Sequence, residues 1–247
     1  TGADGVTLNG NITTADVADN NVAITGGVTL GAAVTIDTAG AASDGTITFN
    51  NGIDGAQDLD LVSDDAAIVI TGAIGANTAL GSLDINVDAT QTGNITLTGN
   101  IGATNAGVTG VTRIGNVNTA DLNLNGTVYK TDGATTFTAV SGGTIDLGGT
   151  SPTFTTSADA ITFATAGVAI GDGTLTVNSA GGAISFTGNI TGTNNDETVV
   201  LNTGSGVTNT ETVAVQAIGG GGKVKAVTIT GADGVTLNGN ITTADVA

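Results

Sequence analysis

Apolar residues in this chain recur in short alternating runs, VTL at 6 to 8 and DLDL at 58 to 61 among them, each bounded by Gly, Asn or Asp. Period-two alternation closed by turn residues predicts half-buried β-strands, and no stretch carries apolar residues at helical spacing. A motif recurs inside the pattern. IVITGAIGA (68 to 76), ITLTGNIGA (95 to 103) and ISFTGNITG (184 to 192) share the form apolar, any, apolar, Thr, Gly, any, Ile, and looser copies begin at 6, 22, 47 and 122. The starts at 6, 22, 47, 68, 95 and 122 lie 16, 25, 21, 27 and 27 residues apart, a unit of about two dozen residues that accepts insertions. Spacings of that size mark stacked repeat architectures. In each unit two inward apolar positions would lie on a strand and Thr or Asn and Gly would turn the backbone, Gly taking a positive φ at low cost. A second strand would then open on Ile or Val. One coil cannot cover its own apolar face, whereas the next coil stacked on it can.

These features predict an all-β parallel β-helix with Ile70, Leu97, Ile101, Phe186 and Ile190 pointing inward. Stacked coils would set like residues one above another, so Val and Ile would form ladders and turn Asn side chains would hydrogen-bond along the stack. A second, longer period is present. Residues 1–18 read TGADGVTLNGNITTADVA, and residues 230–247 repeat them without a change. The chain therefore reads as one 229-residue period, 1–229, followed by the start of the next, 230–247. Roughly ten to twelve coils are expected per period, and the VTLNGNI coil of the second copy should stack on the last coil of the first. Covalent tandem repeats are the favoured form of the join, with export signals expected outside this stretch.

Composition narrows the class. Five Phe, one Tyr and no Trp, Met, His or Cys exclude a thick aromatic core, a disulfide framework and thiolate metal sites. A four-stranded propeller blade wants aromatic signatures, and tandem immunoglobulin-like sandwiches want about 100 residues per unit, so neither fits as well. Four basic residues against 22 acids give a net charge of −18, which disfavours nucleic acid and anionic membrane surfaces as partners. No apolar run approaches the length of a membrane span.

The TGNI and TGAIG strand-turn pattern, followed by ALGSLDI at 79 to 85, resembles the β-strand repeats of very large bacterial surface proteins of the filamentous haemagglutinin and autotransporter-adhesin type. The resemblance implies a right-handed parallel β-helix projecting from a cell: an extracellular, structural repeat of a filament, stalk or adhesin. Its partner would be itself, stacked head to tail, with cell-surface or matrix polysaccharide as a further candidate.

No residue stands out as catalytic or cofactor-binding. The densest acids, Asp54, Asp58, Asp60, Asp64 and Asp65, together with Arg113, are what a carbohydrate-active β-helix enzyme would use, but such chemistry needs two carboxylates at fixed separation and usually aromatic platforms. Asp in turns is the bland alternative. Ca²⁺ is the one cofactor that acid density suggests, at GADG (2 to 5 and 231 to 234), SDG (43 to 45), IDG (53 to 55), GDG (171 to 173) and NNDE (194 to 197). Neither the nonapeptide of calcium β-rolls nor an EF-hand loop is present. Thr-x-Thr pairs at Thr46, Thr48; Thr96, Thr98; Thr153, Thr155; Thr174, Thr176; and Thr228, Thr230 raise ice binding as an alternative. Their irregular spacing argues against a continuous array, and Thr favours strands in any case. The GGGG run at 219 to 222, followed by Lys223, reads as a long loop between coils and not as a phosphate loop, which needs Ser or Thr after the Lys and a helix behind it.

Overall fold

The computed structural model describes residues 5–88, 90–204, 211–231 and 233–245. Every regular element among them is a β-strand, and every strand pairing is parallel. Three sheets wrap one interior, and the chain visits them in a fixed order on each turn. Face 1 holds Val6–Leu8, Val28–Leu30 and Ile53–Asp54, passes through single bridges at Ile74 and Ile101, and resumes with five strands from Val128–Lys130 to Ala226–Thr230. Face 2 is a ten-stranded sheet from Ile12–Thr13 to Gly234–Leu237. Face 3 has eight strands from Val22–Ile24 to Ile190–Gly192 and continues through bridges at Ile218 and Ile241. The protein is a β-solenoid.

Alternation makes these ladders. On face 1 one inward column runs Val6, Val28, Ile53, Ile74, Ile101, Tyr129, Phe154, Val177, Leu201, Ile229. On face 2, Val34, Leu59, Leu83, Thr112, Thr135, Ile161, Ile184, Val213 and Val235 stack in turn, 22 to 29 residues apart. Ile70, Leu97, Ile101, Phe186 and Ile190 are all buried, as the alternation predicts. Five of the six aromatic residues collect in neighbouring turns, and Phe49 lies apart between Ile24 and Ile70. Tyr129 stacks on Phe154 at 4.6 Å between ring centroids, Phe163 on Phe137 at 5.2 Å and on Phe186 at 4.5 Å, and the two columns meet edge to face. The Tyr129 hydroxyl accepts a hydrogen bond from the Gly126 amide at 2.9 Å, which satisfies its one polar atom in the core.

Three expectations need correction. The ten strands of face 2 make nine turns, fewer than the ten to twelve coils read from the sequence. The miscount has a physical origin: the motif copies at 6 and 22 lie on faces 1 and 3, so their 16-residue spacing is two thirds of a turn. The motif marks a corner, and the same corner serves all three edges of the solenoid. Leu97 to Ile101 leads from face 3 to face 1, Phe186 to Ile190 from face 2 to face 3, and Leu8 to Ile12 from face 1 to face 2.

The second correction concerns the motif glycine. Gly72, Gly99, Gly126 and Gly188 do not take a positive φ. They are glycine because the neighbouring turn leaves no room: a Cβ on Gly99 would sit 2.2 Å from the Gly72 carbonyl oxygen, and one on Gly188 1.9 Å from that of Ala166. The left-handed position falls later in the motif, at Gly75 and Gly102, with φ of 63° and 74°. The Asn of the motif ties turns together. Asn11 Oδ1 accepts from the Thr35 amide at 2.9 Å, and Asn100 Oδ1 from the Thr127 and Val128 amides at 2.8 and 3.1 Å. Asn189 Oδ1 accepts from the Ala217 amide at 3.2 Å.

Corners that lack the motif are closed by buried hydroxyls, a device the sequence did not announce. Thr38 Oγ1 donates to the Gly45 carbonyl, Ser63 Oγ to that of Ala66, Thr156 Oγ1 to that of Asp159 and Ser179 Oγ to that of Gly182. Bridges spanning three or seven residues let loops of different length leave the stack without opening it. The Gly219–Gly222 run is likewise part of a coil and not a long loop between coils. Gly222 accepts a hydrogen bond from the Gly192 amide at 2.9 Å, and Val224 is buried. Glycine is needed at two of the four positions: Gly219 has a left-handed φ of 77°, and a Cβ on Gly222 would meet the Gly192 oxygen at 1.9 Å.

Candidate functional site

The parallel register of face 2 sets Thr35, Asp60, Asp84, Arg113 and Thr136 in one outward column. Asp58, immediately before the strand Leu59–Val62 that carries Asp60, joins Asn11, Ser82 and Asp84 around a shallow groove beside the column. The other acids singled out in the sequence lie elsewhere. Asp54 is on face 1, where its carboxylate accepts from the Asn77 amide at 2.8 Å, the Asn77 side chain at 2.9 Å and the Thr78 amide at 3.0 Å. Asp64 and Asp65 occupy the corner after Val62. Asp64 has a left-handed φ of 49°, and Asp65 Oδ1 accepts from the Thr92 hydroxyl.

Electrostatics separate these carboxyls. Partial burial, then Asp84 and Asp88, push the Asp60 pKa up, against a smaller opposing pull from Arg113. Burial also raises that of Asp64, with Asp44, Asp65 and Asp37 acting in the same direction. Burial would raise Asp54 too, but its three hydrogen bonds outweigh it and hold the group below the ordinary carboxylate range. Arg113 donates from Nε and Nη2 to the two oxygens of Asp84 at 2.8 and 2.5 Å, a bidentate pair in which both partners stay accessible to water. Asp60 and Asp84 thus form a neighbouring pair of carboxylates, one with raised proton affinity and the other tied to the guanidinium. All six aromatic side chains of the chain are inside, so none is on the surface as a platform for a sugar ring.

The two glutamates, Glu197 and Glu211, are both buried. Glu197 Oε1 accepts from the Thr193 and Asn194 amides at 2.8 and 2.5 Å and from the Thr193 hydroxyl at 3.0 Å. Burial works to raise its pKa, but these donors outweigh it and hold the group below its usual value. It organises the turn from Thr193 to Asp196 from within. The one available signal was residue choice, because the remaining acids of the chain are all Asp.

No three carboxylate, His or Cys side chains among the described residues are placed to hold a metal ion. The Asp of IDG is occupied as an acceptor, and that of SDG, Asp44, accepts from the Gly40 amide at 2.9 Å. Residues 2–4 and 232 of the two GADG stretches lie outside the described residues. Of the Thr-x-Thr pairs, those at Thr153, Thr174 and Thr228 share face 1. Their register is shifted, though: Thr155 stacks on Asn178, Thr176 on Val200 and Asn202 on Thr230, so no continuous Thr array forms.

No family model, curated protein or solved structure matches the chain significantly. Among the described residues no helix is long and apolar enough to cross a membrane.

Proposed function

We propose that this chain is a structural repeat segment of an extracellular filament, stalk or giant adhesin, with ladder packing supplying stiffness and with its own next copy as principal partner. The observation that supports this most is the continuity of the interior. Inward columns run from the first turn to the last without a gap, and the segment that opens the solenoid recurs in sequence where it is leaving the last turn. Strand edges left open at the end of a stack are templates for further pairing, and more of the same chain is the natural occupant. The resemblance to filamentous haemagglutinin-type repeats favours the cell surface as the setting.

Electron microscopy and denaturing electrophoresis of native material test the proposal together. Rods with a mass far above 23.5 kDa are expected, whereas a discrete single-unit band from compact particles would refute it. A carbohydrate-active enzyme is the competing class, favoured only by the Asp60 and Asp84 pair. Turnover of an acidic polysaccharide that disappears in Asp58→Ala and Asp60→Ala would overturn the structural reading.

A further inference from the structure

The identical eighteen-residue segments do not occupy equivalent places. In the first copy Val6, Thr7 and Leu8 lie on face 1, paired with Val28, Thr29 and Leu30, and Ile12 lies on face 2 opposite Ile36. In the second copy the same residues, Val235, Thr236 and Leu237, lie on face 2 opposite Val213, Ala214 and Val215, and Ile241 lies on face 3 opposite Ile218. The face 1 column from Val6 to Ile229 has ten members and so nine turns, and Val235 comes one face later. One period is therefore nine turns and one third.

The fold permits this because the corner motif is indifferent to which edge it turns. The second copy's corner from Leu237 to Ile241 has the length and place of the one from Phe186 to Ile190, while the first copy's corner from Leu8 to Ile12 joins faces 1 and 2. All three faces accept a strand that reads apolar, polar, apolar with the apolar residues inward, as Val6–Leu8, Ile184–Phe186 and Ile95–Leu97 do on faces 1, 2 and 3.

Resting on the end-to-end reading above, we infer that successive copies of the 229-residue period join with a rotation of one face, the exposed last turn of one unit receiving the turn from Val28 to Ile36 of the next. The surface it would cover is already apolar: Val235, Leu237 and Ile241 are 44%, 49% and 39% exposed at the end of the stack. Their counterparts in the first copy show what fits, since Val28, Leu30 and Ile36 cover Val6, Leu8 and Ile12 and are themselves buried. Asn240 is the counterpart of Asn11, which accepts the Thr35 amide of the following turn, so it offers the same bond to the next unit. Any feature of one face then winds around the fibre. The column of Asp60, Asp84 and Arg113 emerges on face 2, then face 3, then face 1, and returns to the same side after three units, roughly 135 Å at about 4.8 Å per turn. A ligand reading that column from one side would meet it at that interval and not at every unit.

Disulfide trapping tests the rotation, because the chain has no cysteine of its own. Ala214 and Thr236 point outward on adjacent turns of face 2, at a separation a disulfide can span. The double variant Ala214→Cys, Thr236→Cys is expected to cross-link fully on oxidation, while Asn202→Cys, Thr236→Cys, which would pair only if the second copy seated Val235 over Leu201 on face 1, is not. The reverse result would overturn the rotation. Should the first variant fail to fold, backbone proton contacts between Val213 and Val235 in the unmodified chain decide it: their presence supports the rotation and their absence refutes it. A chain carrying residues 1–229 followed by 1–247 separates this from failure of the end-to-end reading. A rod lengthened by about 45 Å with no 214–236 cross-link defeats the rotation alone, and two separately tumbling bodies defeat the end-to-end reading itself.

Discussion

Phe163 is the side chain on which the middle turns depend most. It is fully buried, stacked between Phe137 and Phe186 and edge-on to Phe154 at 5.0 Å. Removing a buried Phe to Ala costs about 3–5 kcal/mol through lost transfer energy and the cavity left behind. Ring pairs add about 0.5–1.5 kcal/mol beyond their buried area. Three ring contacts, which overlap and do not add fully, place Phe163→Ala near the top of that range, at about 5 kcal/mol. Collapse is poor here because strand spacing is fixed by backbone hydrogen bonds on both sides, so the neighbouring rings cannot close the gap. Phe163→Leu keeps much of the volume and should cost about 1–2 kcal/mol. Urea unfolding at 25 °C with residue-resolved amide exchange is the appropriate assay, since a stack of turns can open in parts. Protection should fall first in the strands Thr135–Thr138, Ile161–Ala164 and Ile184–Phe186. A loss below about 2 kcal/mol for Phe163→Ala, or one spread evenly from end to end, would refute the view that the aromatic ladder is a local keystone.

The motif glycines give a sharper contrast. Gly99→Ala forces a Cβ into the Gly72 backbone and should cost about 1–3 kcal/mol, whereas Gly10→Ala, with nothing within 4 Å of the new atom, should change the melting midpoint little. Asp60 binds its proton more tightly folded than unfolded, so folded stability falls as pH rises through the carboxylate range and stays penalised at neutral pH. Asp60→Asn is thus expected to raise the midpoint at pH 7 and to lose that advantage in acid, as thermal melts across pH will show. Asp54 and Glu197 have the opposite sign: their lowered values contribute stability at neutral pH that is lost as pH falls through the folded-state pKa. Asp54→Ala should cost about 1–3 kcal/mol at pH 7 and expose the Asn77 and Thr78 amides to exchange, with little effect in strong acid.

The fold was legible because alternation and glycine punctuation are local properties. Leu97 and Phe186 point inward for the same reason that any apolar residue flanked by polar neighbours on a covered strand does. The phase of the solenoid was not legible, because a corner such as Leu97 to Ile101 looks the same in sequence whichever edge it turns. The requirement at Gly99 was hidden for a related reason: it is set by Gly72, 27 residues earlier, and not by the conformation of its own turn. The burial of Glu197 was not legible because its donors, the Thr193 and Asn194 amides, belong to a backbone whose path only the stack defines. The column of Asp60, Asp84 and Arg113 escaped notice as a unit, since 24 and 29 residues separate members that register makes neighbours.

The parallel, one-turn-at-a-time hydrogen bonding also decides how such a rod behaves under tension. Each turn contributes about 4.8 Å to the axis, yet its 22 to 29 residues reach on the order of 80 Å when drawn out. Because a turn is bonded only to the turns beside it, pulling on the chain ends peels the outermost turn while the rest of the stack stays intact. The rod is therefore stiff at low load and becomes a long reserve of slack at high load, released in small, nearly equal increments instead of by a single rupture.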